Sequence, residues 1–271
     1  NIFRDPRWGR GHETFGEDPY LTSRMGIGYI KGLQGHDGKF LKAAACVKHI
    51  AVHSGPEGIR HSFNAVVGKQ DLYETYLAAF KACVQEGHVE AVMGAYNCIN
   101  GVPCCGNHEL LEEILRGEFG FRGHVVSDCG AIMDFHAGHH ITDTPMESAA
   151  MAMNNGCDLN CGNMFLYLKQ AVREGLVDEK RLDEALVNLF TARMKLGVLD
   201  KKEENPYDEI PYSVVDSEPM RKLNRDAAAK SVVLLKNDGI LPLDKSTIKT
   251  IGVIGPNANN RKALVGNYEG T

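Results

Sequence analysis

His124-Val125-Val126-Ser127-Asp128-Cys129-Gly130 is a short apolar run that emerges into a carboxylate and then a glycine. A run of this length, bounded by turn residues, reads as a strand buried on both faces, here His124–Ser127. Just upstream, Leu110, Leu111, Ile114 and Leu115 fall on one face and predict a helix over Glu109–Phe119. Before that helix, Val89–Tyr96 reads as a strand. Asp71–Gly87 precedes it as a helix, with Leu72, Tyr76, Ala79, Phe80 and Cys83 at helical spacing. Asp71 is its expected N-cap, with Glu74 one turn on, and Gly87 closes it. Ala43–Ile50 is a further strand. Downstream, the pattern predicts a helix near Pro145–Asn154 and a strand-like run at Cys157–Asn160. Helices over Phe165–Glu174 and Glu179–Leu196 follow, the second capped by Asp178.

Strands alternating with helices at roughly 35-residue intervals predict parallel βαβ units. A barrel and an open doubly wound sheet both satisfy this pattern. No Gly-rich dinucleotide fingerprint follows a strand, which argues against the open sheet. Lys48-His49, Tyr96-Asn97, Ser127-Asp128 and Asp158–Asn160 each fall at the carboxyl end of a strand. Barrels gather their active sites on that face, so four polar positions in consecutive units are a functional signal.

After Leu199 the composition changes. Lys201-Lys202-Glu203-Glu204-Asn205-Pro206 is a charged run ending in proline, and Pro211 follows, which reads as a linker. Pro219–Leu235 reads as helix and Thr250–Ile254 as strand. The expected division is a partial (β/α) barrel over 1–199, a linker over 200–216, and the start of a second α/β domain over 217–271.

The 271 residues are 43% hydrophobic and 24% charged, with a net charge of −5. These values exclude a mainly disordered chain and leave no basic footprint for nucleic acid. No run of about 18 uncharged apolar residues is present to span a membrane. The length allows one large domain, or one with part of another. Residue 1 is Asn, and no targeting pattern precedes the first motif, which suggests an internal fragment. Eight cysteines are too few for a disulfide scaffold, and the expectation is buried free thiols.

Asp128 can cap the following helix or act as a nucleophile or general base. His136, His139, His140 and Asp143 read as a solvated loop. Cys157 and Cys161 lack the paired spacing of a zinc site. Arg4, Asp5, Arg7, Glu13, Glu17 and Asp18 read mainly as ion pairs holding a long loop, and Trp8 as packing.

The stretch Asn1-Ile2-Phe3-Arg4-Asp5-Pro6-Arg7-Trp8-Gly9-Arg10-Gly11-His12-Glu13-Thr14-Phe15-Gly16-Glu17-Asp18-Pro19-Tyr20 resembles the signature of the family 3 glycoside hydrolases. So do Lys48-His49, His53-Ser54-Gly55-Pro56-Glu57, Ala95-Tyr96-Asn97 and Val126-Ser127-Asp128-Cys129. Ser231–Asn237 and Ile254-Gly255-Pro256-Asn257-Ala258 resemble that family's second domain. The resemblance runs in order over essentially the whole chain.

It implies an α/β fold: part of a TIM-like (β/α)8 barrel, a linker and the start of an α/β sandwich domain. It also implies a retaining exo-β-glycosidase acting on terminal β-linked sugars of xylo- or gluco-oligosaccharides or aryl glycosides. Asp128 matches the nucleophile. Arg10, Lys48, His49 and Arg60 match positions that hold sugar hydroxyls, Tyr96 matches a residue that orients the nucleophile, and Glu57 is a further candidate contact. The acid/base carboxyl is expected beyond Thr271, and a sugar ligand from an upstream strand is expected before Asn1. No cofactor or metal is implied, because covalent and acid/base chemistry suffice. A periplasmic or secreted location is implied. Ile59-Arg60-His61 lacks the Asp of the N-acetylglucosamine-specific branch. Cys129, where many β-glucosidases carry Trp, puts β-xylosidase ahead of β-glucosidase. A catalytically incomplete sugar-binding module is the non-enzymatic alternative.

Overall fold

Val92 and Val125 are fully buried because each lies in a parallel strand covered on both faces. The computed structural model describes residues 1–265. Strands β1 (Cys46–Ile50), β2 (Ala91–Gly94) and β3 (His124–Ser127) run parallel in that order. Val47 faces Val92, Val92 faces Val125, and Gly94 faces Ser127. Parallel neighbours need a long crossover, and helices supply it. A small second sheet joins Asn64–Ala65, Cys98–Ile99 and Val102–Pro103. This is the mixed α/β arrangement of a partial barrel.

Helix α1 (Pro19–Gln34) opens with Asp18 as N-cap and Pro19 in its first turn. It packs on α2 (Ala78–Gln85). The helical run leading into α2 starts earlier than expected, at Lys69 after an extended Gly68. Asp71 lies inside the run and makes no capping bond. The Leu72 N–H already bonds the Gly68 carbonyl (3.0 Å), and a wide π-type turn follows over Leu72–Tyr76, closed by the Leu77 N–H on the Leu72 carbonyl (2.8 Å). Helix α3 (Glu109–Glu118) also winds with π-type turns and buries Leu110, Leu111, Ile114 and Leu115 as expected. Helix α4 (Pro145–Asn154) carries a full capping box. The Glu147 N–H reaches Thr144 Oγ1 (3.2 Å), and the Thr144 N–H reaches Glu147 Oε2 (3.0 Å). Helices α5 (Leu168–Arg173) and α6 (Glu179–Lys195) follow, with Asp178 capping α6.

The strand expected at Cys157–Asn160 reduces to one parallel bridge, Leu159 to Val126. Asp158 explains this. Its side chain turns back into the sheet and accepts the Val125 N–H at 2.9 Å, taking a ladder partner's place. The same carboxylate is fully buried between Arg116 of α3 (2.6 Å) and Arg181 of α6 (2.9 Å), with Asn188 at 3.1 Å. Its charge is fully compensated, so Asp158 joins helices to sheet and does not belong with the polar residues at the strand ends.

The chain divides into two units between Ile210 and Pro211. In the second, α7 (Glu218–Ser231) buries no residue. The strand expected at Thr250–Ile254 does not form; Leu235 is 93% exposed and Ile254 94%. A strand needs a partner edge, and none is present among the described residues of this unit. The end of the expected second domain, residues 266–271, lies outside the described residues.

Candidate active site

The carboxyl ends of β1, β2 and β3 bring Lys48 and His49, then Tyr96 and Asn97, then Asp128 to one face. Arg10 arrives from the N-terminal loop. That loop is anchored by Trp8, which is buried against Phe3 and His53 with ring centroids 6.4 and 5.6 Å away. The Gly9 N–H is held by Glu57 Oε2 at 3.1 Å. Trp8 therefore packs, as expected.

Arg10 is buried and donates from Nη1 to Asp128 Oδ2 at 3.2 Å. Its Nη2 lies 2.9 Å from His49 Nε2. Glu13 grips the guanidinium from behind, with Oε1 2.8 Å from Nε and Oε2 3.0 Å from Nη2. Lys48 Nζ adds a contact to Glu13 Oε2 at 3.1 Å. Burial alone would raise the Glu13 carboxyl. The hydrogen bonds and charges of Arg10 and Lys48 outweigh it and hold the group down at about 2.

His49 and His53 are both buried. Burial pushes the His49 imidazole well below its usual range, helped by His53, Arg10 and Lys48. His53 falls to about 3, again through burial first and Arg10 next. Both rings are neutral near pH 7. An arginine can only donate, so His49 Nε2 accepts from Arg10. Its proton then sits on Nδ1, facing the Asn1 carboxamide oxygen at 3.3 Å, in the amide orientation that also satisfies the His49 backbone. The 3.2 Å approach of His49 to Asp128 is thus a contact of a neutral ring, not an ion pair.

Asp128 is itself buried, and its Oδ1 accepts the N–H of Cys129 at 2.8 Å. Tyr96 donates its hydroxyl to the Cys129 carbonyl at 2.7 Å. Burial and the Asp128 charge push this phenol up to about 12, so it remains a donor. Arg60 pairs with Glu57 and lies over the Tyr96 ring, 6.0 Å from its centroid. Glu57 is thereby engaged by Arg60 and Gly9. The seven sequence-derived residues therefore fall into two linked groups. Arg10 and His49 meet the Asp128 carboxylate, with Tyr96 beside it at Cys129 and Lys48 joined to Arg10 through Glu13; Arg60 lies over Tyr96 and pairs with Glu57.

Sequence reasoning passed over Glu13 as a site residue, although its position three residues after Arg10 was a usable signal. It also passed over His53, whose Nδ1 meets Asn97 Oδ1 at 3.2 Å. The loop histidines are more engaged than expected, since His139 Nε2 contacts the Tyr96 carbonyl at 2.8 Å. The expectation of free thiols fails for one pair: Cys129 and Cys161 form a disulfide. The other six cysteines are free.

His49, His53 and Asp128 place three potential ligand atoms within 4.8 Å of one another. The Arg10 guanidinium already stands on His49 Nε2 and Asp128 Oδ2, so a metal ion there would compete with a fixed cation. The arrangement instead suits a carboxylate nucleophile beside cationic and neutral donors able to bind hydroxyls. Among the described residues, no helix is long and apolar enough to cross a membrane.

The family model for the glycosyl hydrolase family 3 N-terminal domain matches residues 1–192. The chain is 46% identical over 276 residues to a xylan 1,4-beta-xylosidase of Xylanibacter ruminicola, covering all of this chain and 32% of that protein. It is 45% identical over 279 residues to a beta-xylosidase/alpha-L-arabinofuranosidase of Medicago sativa subsp. varia, covering all of this chain and 36% of that one. The chain thus spans about a third of the length of these relatives. Among solved structures, an exo-beta-xylosidase in complex with a xylobiose aziridine probe superposes with a TM-score of 0.85 at 35% identity, covering 90% of this chain and 33% of that one. A beta-glucosidase from Listeria innocua in complex with isofagomine gives 0.80 at 33% identity, covering 89% and 34%.

Proposed function

The chain belongs to glycosyl hydrolase family 3, and from that premise we propose that it forms the nucleophile half of a retaining exo-β-glycosidase, acting first on β-xylosides. The observation that carries this reading is Asp128: a buried carboxylate at the end of β3, with Oδ2 held by Arg10 and Oδ1 by the Cys129 N–H. Held this way, one lone pair can be aimed at an anomeric carbon. Attack would break the glycosidic bond and leave the sugar as an ester on Asp128, which water then cleaves. The leaving oxygen takes its proton from a second carboxyl, in retaining enzymes about 5–5.5 Å from the nucleophile. Glu13 is unsuited to that task, because two cations keep it ionised. We assign the acid/base to residues following Thr271, in a second α/β domain that opens after the linker.

Lys48, His49, Arg10 and Arg60 are the proposed hydroxyl-binding groups. Hydrogen bonds to the sugar that strengthen as positive charge develops at the anomeric carbon are the expected source of rate. Xylose ranks ahead of glucose because Cys129 follows the nucleophile where many β-glucosidases carry Trp, and because the curated relatives described above are named xylosidases. The superposition on a beta-glucosidase keeps glucose as the second reading. Small oligosaccharides or aryl glycosides are the expected substrates, and a periplasmic or secreted location the expected setting.

Covalent trapping tests the proposal. A dinitrophenyl 2-deoxy-2-fluoro-β-xyloside needs no proton for departure, and peptide mass mapping should find its sugar on Asp128. A folded full-length protein that forms no adduct there, or forms it on another residue, would overturn the assignment. Faster labelling by the glucosyl analogue would reverse the sugar ranking.

A further inference from the structure

Resting on the reading of Asp128 as nucleophile, we propose that the Cys129–Cys161 disulfide is a positioning element for that carboxylate. It fixes the peptide whose N–H holds Oδ1, and its reduction slows glycosyl transfer to Asp128 while the fold persists.

Cys129 lies on a turn, not on a strand. Gly130 follows it with φ +84°, a left-handed conformation that ends the extended run. The direction of the Cys129 N–H therefore depends on what holds the turn. On one side Tyr96 donates to the Cys129 carbonyl at 2.7 Å. On the other stands the loop at Cys161, which accepts the Gly130 N–H at 2.8 Å and donates its own N–H to Ser127 Oγ at 3.0 Å.

That loop is otherwise tied to β3 by hydrogen bonds, Asn160 Nδ2 donating to Ser127 Oγ at 3.1 Å and the Ser127 N–H to the Leu159 carbonyl at 2.9 Å. It follows Leu159, which joins β3 through a single bridge, with no full strand beneath it. The disulfide adds a covalent tie to these hydrogen bonds and so joins the loop directly to the turn. It spans 32 residues of sequence, so no local connection replaces it. Cys129 is exposed and Cys161 half-buried, so a small reductant can reach the sulfurs. A misplacement of about 1 Å at a reacting group can cost about a hundredfold in rate, which sets the scale of the effect.

The test uses the full-length enzyme. Tris(carboxyethyl)phosphine supplies two electrons, one water supplies two protons and the oxygen of the phosphine oxide, and the S–S bond breaks to give two thiols. Labelling of Asp128 by the 2-fluoroxyloside is followed before reduction, after it, and after reoxidation. Cys161→Ser serves as a second route that keeps the Cys129 N–H. The expected result is a tenfold to hundredfold slower labelling on reduction, restored by reoxidation. Turnover should show a fall in kcat with little change in KM, and the near-UV spectrum should be retained. Unchanged labelling in both the reduced protein and Cys161→Ser would overturn the positioning role and leave the nucleophile assignment standing. Loss of the near-UV spectrum in both would also overturn it, in favour of a purely stabilising bond. Absence of label on Asp128 in the oxidised protein would remove the nucleophile reading, and this proposal with it.

Discussion

Glu13 holds Arg10 by two contacts at once, Oε1 to Nε at 2.8 Å and Oε2 to Nη2 at 3.0 Å, while Arg10 turns its Nη1 to Asp128. The guanidinium is thus aimed from behind by a second carboxylate. Bidentate geometry of this kind fixes direction as well as charge. Glu13→Gln keeps the volume but removes the charge and one acceptor. The expected outcome is a loss in kcat/KM of about tenfold to a hundredfold. The pH dependence of stability has a definite sign. The Glu13 carboxyl is lowered in the folded chain, so its contribution is complete above the unfolded value near 4.3 and is lost as pH falls toward about 2. Melting temperatures of the parent chain should therefore fall more steeply than those of Glu13→Gln between about pH 4.3 and pH 2.

His53 sets a second, higher pH window. Its folded-state pKa is lowered to about 3, so the unfolded chain binds a proton below about 6.5 that the folded chain refuses. Stability is unaffected above that value and falls as pH drops from about 6.5 toward 3, by up to about 1.4 kcal/mol per pH unit. His53→Gln should flatten that slope in urea titrations run from pH 7 to pH 4. An unchanged slope would mean that His53 takes up its proton in the folded state.

Asp128 and Asp158 carry the same sequence signal, a carboxylate near the carboxyl end of an expected strand, and the fold gives them opposite roles. Asp158 is fully buried between Arg116 and Arg181. Asp158→Ala takes the shared buried carboxylate from two half-buried guanidinium groups and should cost about 3 kcal/mol, with activity per folded molecule retained. Asp128→Asn should leave stability within about 1 kcal/mol and reduce activity about 10⁴-fold or more. Thermal unfolding and turnover, measured on both variants, separate the two roles.

That contrast shows where sequence reading stops. Helix α4 was legible to the residue because Thr144, Pro145 and Glu147 write its start locally. Strand β3 was legible because Val125, Val126 and Ser127 lead into a turn. Asp71 misled because the helical run starts two residues earlier, at Lys69, with the Leu72 N–H on the Gly68 carbonyl and no side-chain cap to announce it. Thr250–Ile254 has strand composition but no partner edge among the described residues. The Cys129–Cys161 bond was invisible because the partners are far apart in sequence and only the adjacency of β3 and the Leu159 bridge brings them together. Asp128 itself was readable from its place at a strand end, whereas the Glu13 grip on Arg10 depends on how the N-terminal loop folds.

The Tyr96 hydroxyl and the disulfide hold the same residue, Cys129, one through its carbonyl and one through its side chain. Tyr96→Phe removes the donor at 2.7 Å and keeps the ring that packs against His53 and His61. Its stability cost should be about 1 kcal/mol, the worth of one hydrogen bond. Its effect on kcat should exceed that, at about tenfold, if the peptide's orientation matters to Asp128. The combination with Cys161→Ser is the sharper measurement. Two supports of one residue are coupled, so the double variant should lose less or more than the product of the single losses, by at least about 0.5 kcal/mol. Strict additivity in kcat, with both singles folded, would show that Tyr96 acts on the sugar or on Asp128 directly and not through Cys129.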